Sequence, residues 1–198
     1  MRGARWRPLL AVPVAILGGF AAGAAAIGLG RRWLFPVAVA GESMTPAFEA
    51  DDYVLVRRAR LPKGDAATGL VVCVRGPEDR LLLKRIVGIP GDSLRIGDRV
   101  YVGGHPLLEP YIRGEAPTES FRGVRLLHDD EYVVLGDHRA ASTDSRDFGP
   151  VRTEQIEGIA WLRYWPPERV GLVRREARRF APPEGEADAE SGDSPMEV

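Results

Sequence analysis

Leu81-Leu82-Leu83-Lys84-Arg85-Ile86-Val87 is an apolar run that holds two adjacent basic residues. Apolar runs of this length, bounded by turn residues, are typical of buried β-strands. Alternate side chains of an extended strand share a face, so Lys84 lies on the same face as Leu82 and Ile86. Arg85 points to the opposite face. The stretch therefore predicts a strand that carries a lysine among apolar side chains.

A lysine in such a place has a specific chemical use. Burial disfavours the charged ammonium group and lowers its pKa. At an ordinary pKa near 10.4 only about one lysine in a few thousand is neutral at pH 7, whereas a pKa of about 7–8 gives a usable general base. The alternative is an edge strand, on which Lys84 faces water and discourages aggregation.

Similar strand-like runs, rich in Val, Leu and Tyr, flank this stretch on both sides. They are Tyr53–Arg58, Gly69–Arg75, Glu131–Leu135 and Ile159–Trp165, and the run around Lys84 itself extends over Arg80–Ile89. Arg99–Val102, the Gly103-Gly104 turn and Leu107-Leu108 predict a hairpin. Because no long amphipathic helix pattern interrupts residues 35–165, we expect this region to be a mainly β, antiparallel domain.

The segment Leu9 to Gly30 is apolar and has no charged residue. As a helix its 22 residues would be about 33 Å long, which is enough to cross a hydrocarbon core of about 30 Å. Its small residues Ala21–Ala26 also fit a cleaved signal peptide, but the length favours an uncleaved anchor. We expect a cytoplasmic N-terminus over residues 1–8, a single transmembrane anchor over 9–30, and the rest of the chain across the membrane.

The C-terminal part has two expected regions. Residues 166–180 predict a short basic helix or a linker, with Val170, Val173, Ala177 and Phe180 on one side of the helix. Residues 181–198 are acidic and poor in apolar side chains, so we expect a disordered tail. Pro110 to Gly123 is expected to be a long loop or lid.

Composition excludes several classes of protein. The net charge of -1 does not favour a nucleic-acid partner. The single cysteine, Cys73, lies in an apolar run and is expected to be a buried small hydrophobic residue. The three histidines and this cysteine lack metal-ligand spacing, so we expect no metal and no other cofactor.

A serine with a special setting precedes the strands. Gly41-Glu42-Ser43-Met44-Thr45-Pro46 comes about a dozen residues after the apolar segment. Gly41 and Pro46 disfavour a regular helix, so Ser43 is expected on a turn. Taken alone, the stretch also fits a surface turn with a capping serine.

A second polar stretch, Gly136–Gly149, directly follows the predicted strand Glu131–Leu135. It alternates acidic residues with arginines, contains two serines and is bracketed by glycines. Asp–Arg pairs can hold such a loop together and keep a hydroxyl group in place. The alternative is a solvated polar turn.

Together these stretches resemble the motif boxes of bacterial type I signal peptidases. The boxes Gly41–Pro46, Lys84–Asp92 and Gly136–Gly149 follow one another in the family's order, behind an N-terminal apolar segment. The resemblance covers about Val37 to Trp165. It implies a mainly β fold: a signal-peptidase-like antiparallel β catalytic core with a small inserted β region at about 93–130, preceded by one transmembrane helix.

The resemblance also implies a role for each matching residue. Ser43 matches the nucleophile and Lys84 the general base. Ser142 matches the serine whose hydroxyl orients the lysine, while Asp144 and Arg146 match an ion pair that holds the loop. The Ser43 backbone N–H is one expected oxyanion donor. The implied activity is removal of signal peptides from exported precursor proteins, after small residues, by an extracytoplasmic domain at the cell membrane, with precursor proteins and membrane lipid as partners.

Two residues depart from the family pattern. Some family members have a serine at the position of Gly41, and its hydroxyl supplies a second oxyanion donor that is unassigned here. His138 stands where the family usually has asparagine. A Ser–His–Asp triad through His138 is an alternative, but the branch that uses histidine has it in place of the lysine, and Lys84 is present.

Two other functions are compatible with these residues. One is a maturation protease of the same family that is dedicated to a single precursor. The other is a non-catalytic, membrane-tethered module that binds exported chains. Self-cleaving repressors share the Ser–Lys chemistry, but they carry a DNA-binding segment in place of an anchor, and we reject them.

Overall fold

The computed structural model describes residues 32–97, 99–112 and 125–182. The strands are β1 (Leu34–Ala38), β2 (Tyr53–Arg57), β3 (Val71–Arg75), β4 (Leu81–Gly88), β5 (Ser93–Ile96), β6 (Val100–Val102), β7 (His105–Pro106), β8 (Arg125–Leu126), β9 (Glu131–Leu135), β10 (Val151–Arg152), β11 (Ile156–Trp165) and β12 (Gly171–Leu172). The α-helix α1 spans Ser145–Phe148, and 3₁₀ turns span Gly64–Ala67, Pro77–Asp79, Arg139–Ala141, Thr153–Gln155 and Pro167–Arg169. The fold is thus mainly β, as predicted.

The main sheet is antiparallel and has the strand order β1-β2-β11-β3-β4-β9-β10, with β12 paired to β11. Strand β11 is the last long strand in the sequence, yet it lies inside this sheet, between β2 and β3. It begins at Ile156, three residues earlier than the sequence pattern predicts. Gly158 permits this insertion, because a Cβ there would lie 2.5 Å from the carbonyl oxygen of Arg57.

Strand β4 lies inside the sheet, between β3 and β9. Lys84 is opposite Val72 of β3, and Arg85 is opposite Leu135 of β9. The edge-strand alternative for Lys84 is therefore wrong, and only 2% of the residue is exposed. The predicted alternation also holds: Leu83 joins one hydrophobic cluster, while Ile86 joins another.

A second, four-stranded sheet has the order β7-β6-β5-β8. Its β6–β7 hairpin turns at Gly103 and Gly104, as predicted, and both glycines have positive φ values. The returning strand is His105–Pro106, however, and not the predicted Leu107-Leu108. Leu94 and Val100 of this sheet pack with Val87 of the main sheet in one buried cluster. The small sheet is therefore attached to the main sheet directly beyond the end of β4.

Residues 166–180 were expected to form a short basic helix or a linker, and of these two alternatives the helix is wrong. A 3₁₀ turn at Pro167–Arg169 leads into β12, where Gly171 pairs with Arg163 of β11. Arg175 then donates a 3.0 Å hydrogen bond from Nε to the carbonyl oxygen of Thr68. Strand pairing and side-chain contacts with the sheets thus hold this segment in an extended form.

Four expectations fall outside the described residues: the cytoplasmic N-terminus at 1–8, the anchor at 9–30, most of the loop from Pro110 to Gly123, and nearly all of the tail at 181–198. In the part of the chain that the structure describes, no helix is long and apolar enough to cross a membrane.

Candidate active site

Ser43 lies on a series of turns between β1 and β2. Two buried side chains in these turns, Met44 and Phe48, pack with Val54 and Val56 of β2. The amide of Phe48 donates a 2.9 Å hydrogen bond to the Met44 carbonyl oxygen. These contacts fix the backbone beside Ser43 and leave its side chain directed towards β4, as the contact with Lys84 shows.

Lys84 and Ser43 meet directly. The Lys84 Nζ donates a 2.7 Å hydrogen bond to Ser43 Oγ, although the residues are 41 positions apart in the sequence. Burial lowers the pKa of Lys84 to about 8, against the opposing charges of Asp144 and Asp137 and with a smaller contribution from Arg146. The predicted depression of the Lys84 pKa is thus confirmed. At pH 7 about one molecule in ten then carries a neutral amine at this position.

Asp144 organises the loop that follows β9. It is the N-cap of α1, and its carboxylate accepts hydrogen bonds from the backbone N–H of Gly136 at 2.9 Å and from that of Arg146 at 3.2 Å. Arg146 Nε also donates to it at 2.8 Å. Burial opposes the charged carboxylate, but these donors hold the pKa of Asp144 below its ordinary value. The structure thus places the predicted Asp144–Arg146 pair within one short loop.

Ser142 lies beside the pair of Ser43 and Lys84. A Cβ on Gly136 would come within 2.5 Å of both Ser142 Cβ and the Ser43 carbonyl oxygen. Ser142 and the Ser43 carbonyl group therefore both pack against Gly136. The Ser142 hydroxyl helps to lower the pKa of Asp144. Its buried oxygen nevertheless makes no well-directed hydrogen bond within the described residues, Lys84 included.

His138 contacts Ser43 through the backbone. Its amide N–H donates a 3.0 Å hydrogen bond to the Ser43 carbonyl oxygen. The ring Nδ1 is buried and has no hydrogen-bond partner among the residues described. The contact that a triad needs, between the ring of His138 and Ser43 Oγ, is not among the hydrogen bonds of this part of the chain.

A groove of about 390 Å³ opens beside Ser43. Its two walls are the small residues Val37–Gly41, which end β1 and follow it, and the residues Arg80–Lys84, which begin β4. Gly41 has an open position, because a Cβ there would meet nothing within 4 Å. A separate cavity of about 290 Å³ near Phe48 and Arg85 contains neither Ser43 nor Lys84.

The structure also brings together residues that the sequence analysis did not select. Arg85 forms a buried ion pair with Asp137, at 2.5 Å between its Nη2 and the Oδ2 atom. Arg139 forms a second buried ion pair, with Glu109. An arginine inside an apolar strand needs a buried acidic partner. The position of Arg85 could therefore have indicated from the sequence that an acidic residue such as Asp137 is buried beside it. No comparable pattern marks Glu109. Within the described residues, no group of His, Cys, Asp and Glu side chains could hold a metal ion.

Comparison with known proteins gives a consistent family. Residues 14–165 match the model of the family described as "Signal peptidase, peptidase S26". The chain is 37% identical over 152 residues to the probable signal peptidase I-2 of Synechocystis sp., covering 72% of this chain and 68% of the relative. It is 31% identical to signal peptidase IB of Staphylococcus aureus, covering 70% and 81%.

One solved structure is also similar, a signal peptidase I from Enterococcus faecalis, with a TM-score of 0.40, 26% identity and coverage of 50% of this chain and 97% of that chain. The family model matches well over half of the present chain. The chain therefore belongs to the signal peptidase family, peptidase S26, and to its signal peptidase I group of serine endopeptidases.

Proposed function

We propose that this chain is a membrane-anchored signal peptidase I that removes N-terminal signal peptides from exported precursor proteins by a Ser43–Lys84 dyad. The observation that carries the proposal is the 2.7 Å hydrogen bond between Lys84 Nζ and Ser43 Oγ. The lysine is almost fully buried, and the serine lies at the surface of a groove. A buried amine next to an accessible hydroxyl supports catalysis over simple binding of exported chains.

In the first step, neutral Lys84 accepts the hydroxyl proton of Ser43 while Oγ attacks the scissile carbonyl carbon. The carbonyl oxygen becomes an oxyanion, which requires donors that are already in place. The Ser43 backbone N–H is suited to this role, because it donates to no acceptor in the described part of the chain. A second donor is not assigned, since Gly41 has no side chain to supply one.

Collapse of the tetrahedral intermediate breaks the peptide bond. The ammonium group of Lys84 gives its proton to the leaving amine, and the signal peptide stays attached to Ser43 as an ester. Lys84 is neutral again and accepts a proton from a water molecule that attacks the ester. A second tetrahedral intermediate then collapses, the proton returns to Ser43 Oγ, and the signal peptide leaves with a free carboxylate.

The loop after β9 supports this dyad. Asp144 and Arg146 hold the loop, and Ser142 is expected to orient the Lys84 amine when substrate closes the groove. The buried Ser142 oxygen has no well-directed partner within the described residues. It therefore has free hydrogen-bonding capacity beside the dyad.

The groove suits an extended peptide with small side chains before the cut. Both walls are stretches of backbone in or next to β-strands, so a peptide between them can add hydrogen bonds as a strand does. The wall Val37–Gly41 consists of valine, alanine and glycine. A pocket of about 390 Å³ that runs along several peptide positions leaves little room for large side chains near Ser43.

The proposed membrane anchor is the apolar segment 9–30, with an extracytoplasmic catalytic domain. About a dozen residues separate Gly30 from Ser43. At 3.3–3.6 Å per residue they hold Ser43 within about 45 Å of the bilayer. That tether fits a cleavage site that emerges from the membrane.

The test is cleavage of a precursor that carries an Ala-X-Ala site, with the full chain in detergent and lipid. Mass spectrometry should show one cut, directly after the second alanine of the site. Ser43→Ala and Lys84→Met should each lower the rate by at least about a thousandfold. Matched controls are Ser93→Ala and Lys63→Met, of which Lys63 is the only other lysine in the chain.

Each outcome separates the alternatives. Full activity in Ser43→Ala or Lys84→Met would remove the dyad from the proposal. A wild-type chain that binds the precursor but never cuts it would be a non-catalytic module. Cleavage of one precursor out of a panel of several would indicate a dedicated maturation protease.

A further inference from the structure

Two residues next to the small sheet, one buried and one half-buried, contact the main sheet and the loop after β9. Glu109 and Tyr111 follow β7, and the Tyr111 hydroxyl donates a 2.8 Å hydrogen bond to Glu109 Oε1. Burial, and then the charge of Glu109, raise the pKa of Tyr111, so this hydroxyl keeps its proton. We call this pair the Glu109–Tyr111 clamp.

The glutamate of the clamp holds the loop after β9. The Glu109 carboxylate accepts hydrogen bonds from both terminal nitrogens of the buried Arg139, with Nη1 at 3.0 Å from Oε2. Arg139 Nε in turn donates a 3.0 Å hydrogen bond to the Gly136 carbonyl oxygen. The Arg139 carbonyl oxygen accepts a 2.6 Å hydrogen bond from Arg146. The Glu109 carboxylate, which lies outside the loop, thus holds Arg139 in place. Arg139 in turn is hydrogen-bonded to Gly136 at the start of the loop and to Arg146 near its end.

The tyrosine of the clamp covers strand β4. The guanidinium carbon of Arg85 lies 4.3 Å from the centroid of the Tyr111 ring. The same guanidinium donates to Asp137 and, at 2.9 Å, to the Gly69 carbonyl oxygen. Arg85 is the residue directly after Lys84, so the clamp contacts the strand that carries the lysine as well as the loop after β9.

The separation of these two elements determines the geometry of the dyad. Lys84 belongs to β4, whereas the backbone of the loop holds Ser43 through the 3.0 Å bond from the His138 N–H to the Ser43 carbonyl oxygen. A change of a few tenths of an ångström between strand and loop moves Lys84 Nζ relative to Ser43 Oγ. Buried ion pairs are in general a poor source of stability, because desolvation offsets their attraction. Two such pairs, Arg85–Asp137 and Arg139–Glu109, lie side by side here, and their role is better explained by the positions that they fix than by the stability that they add.

We propose that Glu109 and Tyr111 are positioning residues, which hold strand β4 and the loop after β9 at the separation that the Ser43–Lys84 pair requires. This inference rests on the proposed function. Neither residue lines the groove beside Ser43, so both act through Arg139 and Arg85. The small sheet then serves the reaction, although the reacting atoms lie in the main sheet and its loops.

The first test is a set of cleavage measurements with the full chain in detergent. Glu109→Gln keeps the shape of the side chain and removes its charge. It should lower kcat by about 10–100-fold and change KM by less than about twofold, because the groove is untouched. Tyr111→Phe keeps the ring over Arg85 and should lower kcat by only a few-fold. The control Glu131→Gln breaks the ion pair with Arg125, which also joins the two sheets, and should leave kcat unchanged.

A double-mutant cycle separates positioning from general damage. If Glu109 acts through Arg139, the variant with both Glu109→Gln and Arg139→Gln should lose no more kcat than Arg139→Gln alone. Losses that multiply would overturn the proposal, as would wild-type kcat in Glu109→Gln. A cooperative thermal unfolding transition is the control that each variant is folded. If Arg139→Gln is not folded, the kcat and KM values of Glu109→Gln and Tyr111→Phe decide.

A third measurement does not depend on cleavage. With only Lys63 and Lys84 in the chain, selective ¹³Cε labelling of lysine gives two NMR signals to titrate. The charged groups that act on Lys84 are Asp144, Asp137 and Arg146, and Glu109→Gln leaves all three in place. A loosened loop admits water to Lys84, so its pKa should rise from about 8 towards the ordinary value. An unchanged or lower pKa would overturn the proposal. Absence of cleavage by the wild type would instead refute the proposed function.

Discussion

Gly136 and Ser142 lie so close together that a Cβ on Gly136 would come within 2.5 Å of Ser142 Cβ. The same Cβ would be 2.5 Å from the Ser43 carbonyl oxygen. Atoms that are not bonded do not approach so closely in a packed interior, so a side chain at residue 136 must displace one of them. The missing side chain allows the loop after β9 to pack directly against the backbone of Ser43.

The first prediction follows from this contact. Gly136→Ala should lower kcat on the order of 100-fold, since it moves Ser142 or the Ser43 backbone, and should cost about 1–3 kcal/mol in the free energy of unfolding. Steady-state kinetics and urea unfolding measure the two effects. Gly97→Ala is the control, because a Cβ there meets nothing within 4 Å. Wild-type kcat in Gly136→Ala would show that the loop yields without affecting the site.

The second prediction concerns the pH dependence of cleavage. In the proposed mechanism the neutral form of Lys84 is the base, and the pKa of Lys84 is about 8. The rate constant kcat/KM should therefore rise about tenfold per pH unit up to about pH 7.5 and level off above about pH 8.5. Initial rates between pH 5 and 9 test this, with circular dichroism to confirm folding at each pH. A flat profile down to pH 5 would contradict lysine as the base.

The third prediction is that Lys84 costs stability. Its pKa is about 8 in the folded chain and 10.5 without the fold, so the unfolded chain binds more protons between these values. The free-energy cost of burying Lys84 is therefore full below pH 8 and declines as the pH rises to 10.5. Lys84→Met should raise the free energy of unfolding by up to about 3 kcal/mol at pH 7, and by little near pH 10.5. Urea unfolding at both pH values measures this.

The exposed Lys63 gives the matched control for that measurement. Lys63→Met removes a lysine without changing a buried group, and it should not raise the stability at either pH. Should Lys84→Met unfold more easily than the wild type at pH 7, the hydrogen bond to Ser43 would outweigh the cost of burying the amine.

The fourth prediction concerns the buried pair of Asp144 and Arg146. Arg146→Met leaves the carboxylate of Asp144 buried without its ion pair, which should cost about 3–5 kcal/mol at neutral pH. The pKa of Asp144 is held below its ordinary value of 3.8, so the stability due to the pair is present above pH 3.8 and is lost as the pH falls through the folded-state pKa. The difference between variant and wild type should therefore narrow in strong acid.

Unfolding curves at pH 7 and below pH 3 test this dependence. Arg152→Met is the control, because its 3.7 Å ion pair with Asp130 is more than half exposed on both sides. It should cost at most about 1 kcal/mol. Equal losses in Arg146→Met and Arg152→Met would mean that burial adds nothing to the pair.

The fifth prediction is that Cys73 reports on unfolding. It is the single cysteine of the chain, and it is fully buried. Burial, reinforced by the charge of Glu157, raises its pKa to about 12, so the reactive thiolate is scarce in the folded protein. A thiol reagent at pH 8 should therefore label Cys73 only in the unfolded chain, at a rate that urea increases. Fast labelling without urea would show that β3 opens locally.

The strands β2, β3, β4, β9 and β11 were predictable because the sequence alternates or clusters apolar residues over five to ten positions. The Lys84 environment was predictable for the same reason, since Leu82 and Ile86 flank it in the strand. The strands β1, β5, β8, β10 and β12 were not predicted. Of the helix and the linker expected for residues 166–180, the helix was wrong. A short isolated helix is only marginally stable, whereas Gly171 pairs with Arg163 in the main sheet. Local periodicity does not reveal a partner strand nearby in space.

In the site, too, local sequence patterns predicted some features, while others depend on residues that are distant in the sequence. The meeting of Ser43 with Lys84 depends on the strand order, which no local pattern specifies, so only the resemblance to a family placed them together. Asp137 had a signal in the buried charge of Arg85. Glu109 had none, since a single acidic residue before Pro110 is also typical of a surface loop. Its pairing with Arg139 becomes visible only when the small sheet is folded against the main sheet.

The insertion of β11 between β2 and β3 has a consequence for biosynthesis. Ser43 belongs to the half of the sheet with β1 and β2, and Lys84 to the half with β3 and β4; β11 is the strand that joins them. Ribosomes deliver residues 156–165 after both halves, and pairing over such long sequence separations is slow. A nascent chain that has already exposed its serine and its lysine thus has no assembled dyad. If the proposed dyad is the catalytic site, the new chain cannot cut neighbouring chains, or itself, before residues 156–165 have been translated and paired with β2 and β3.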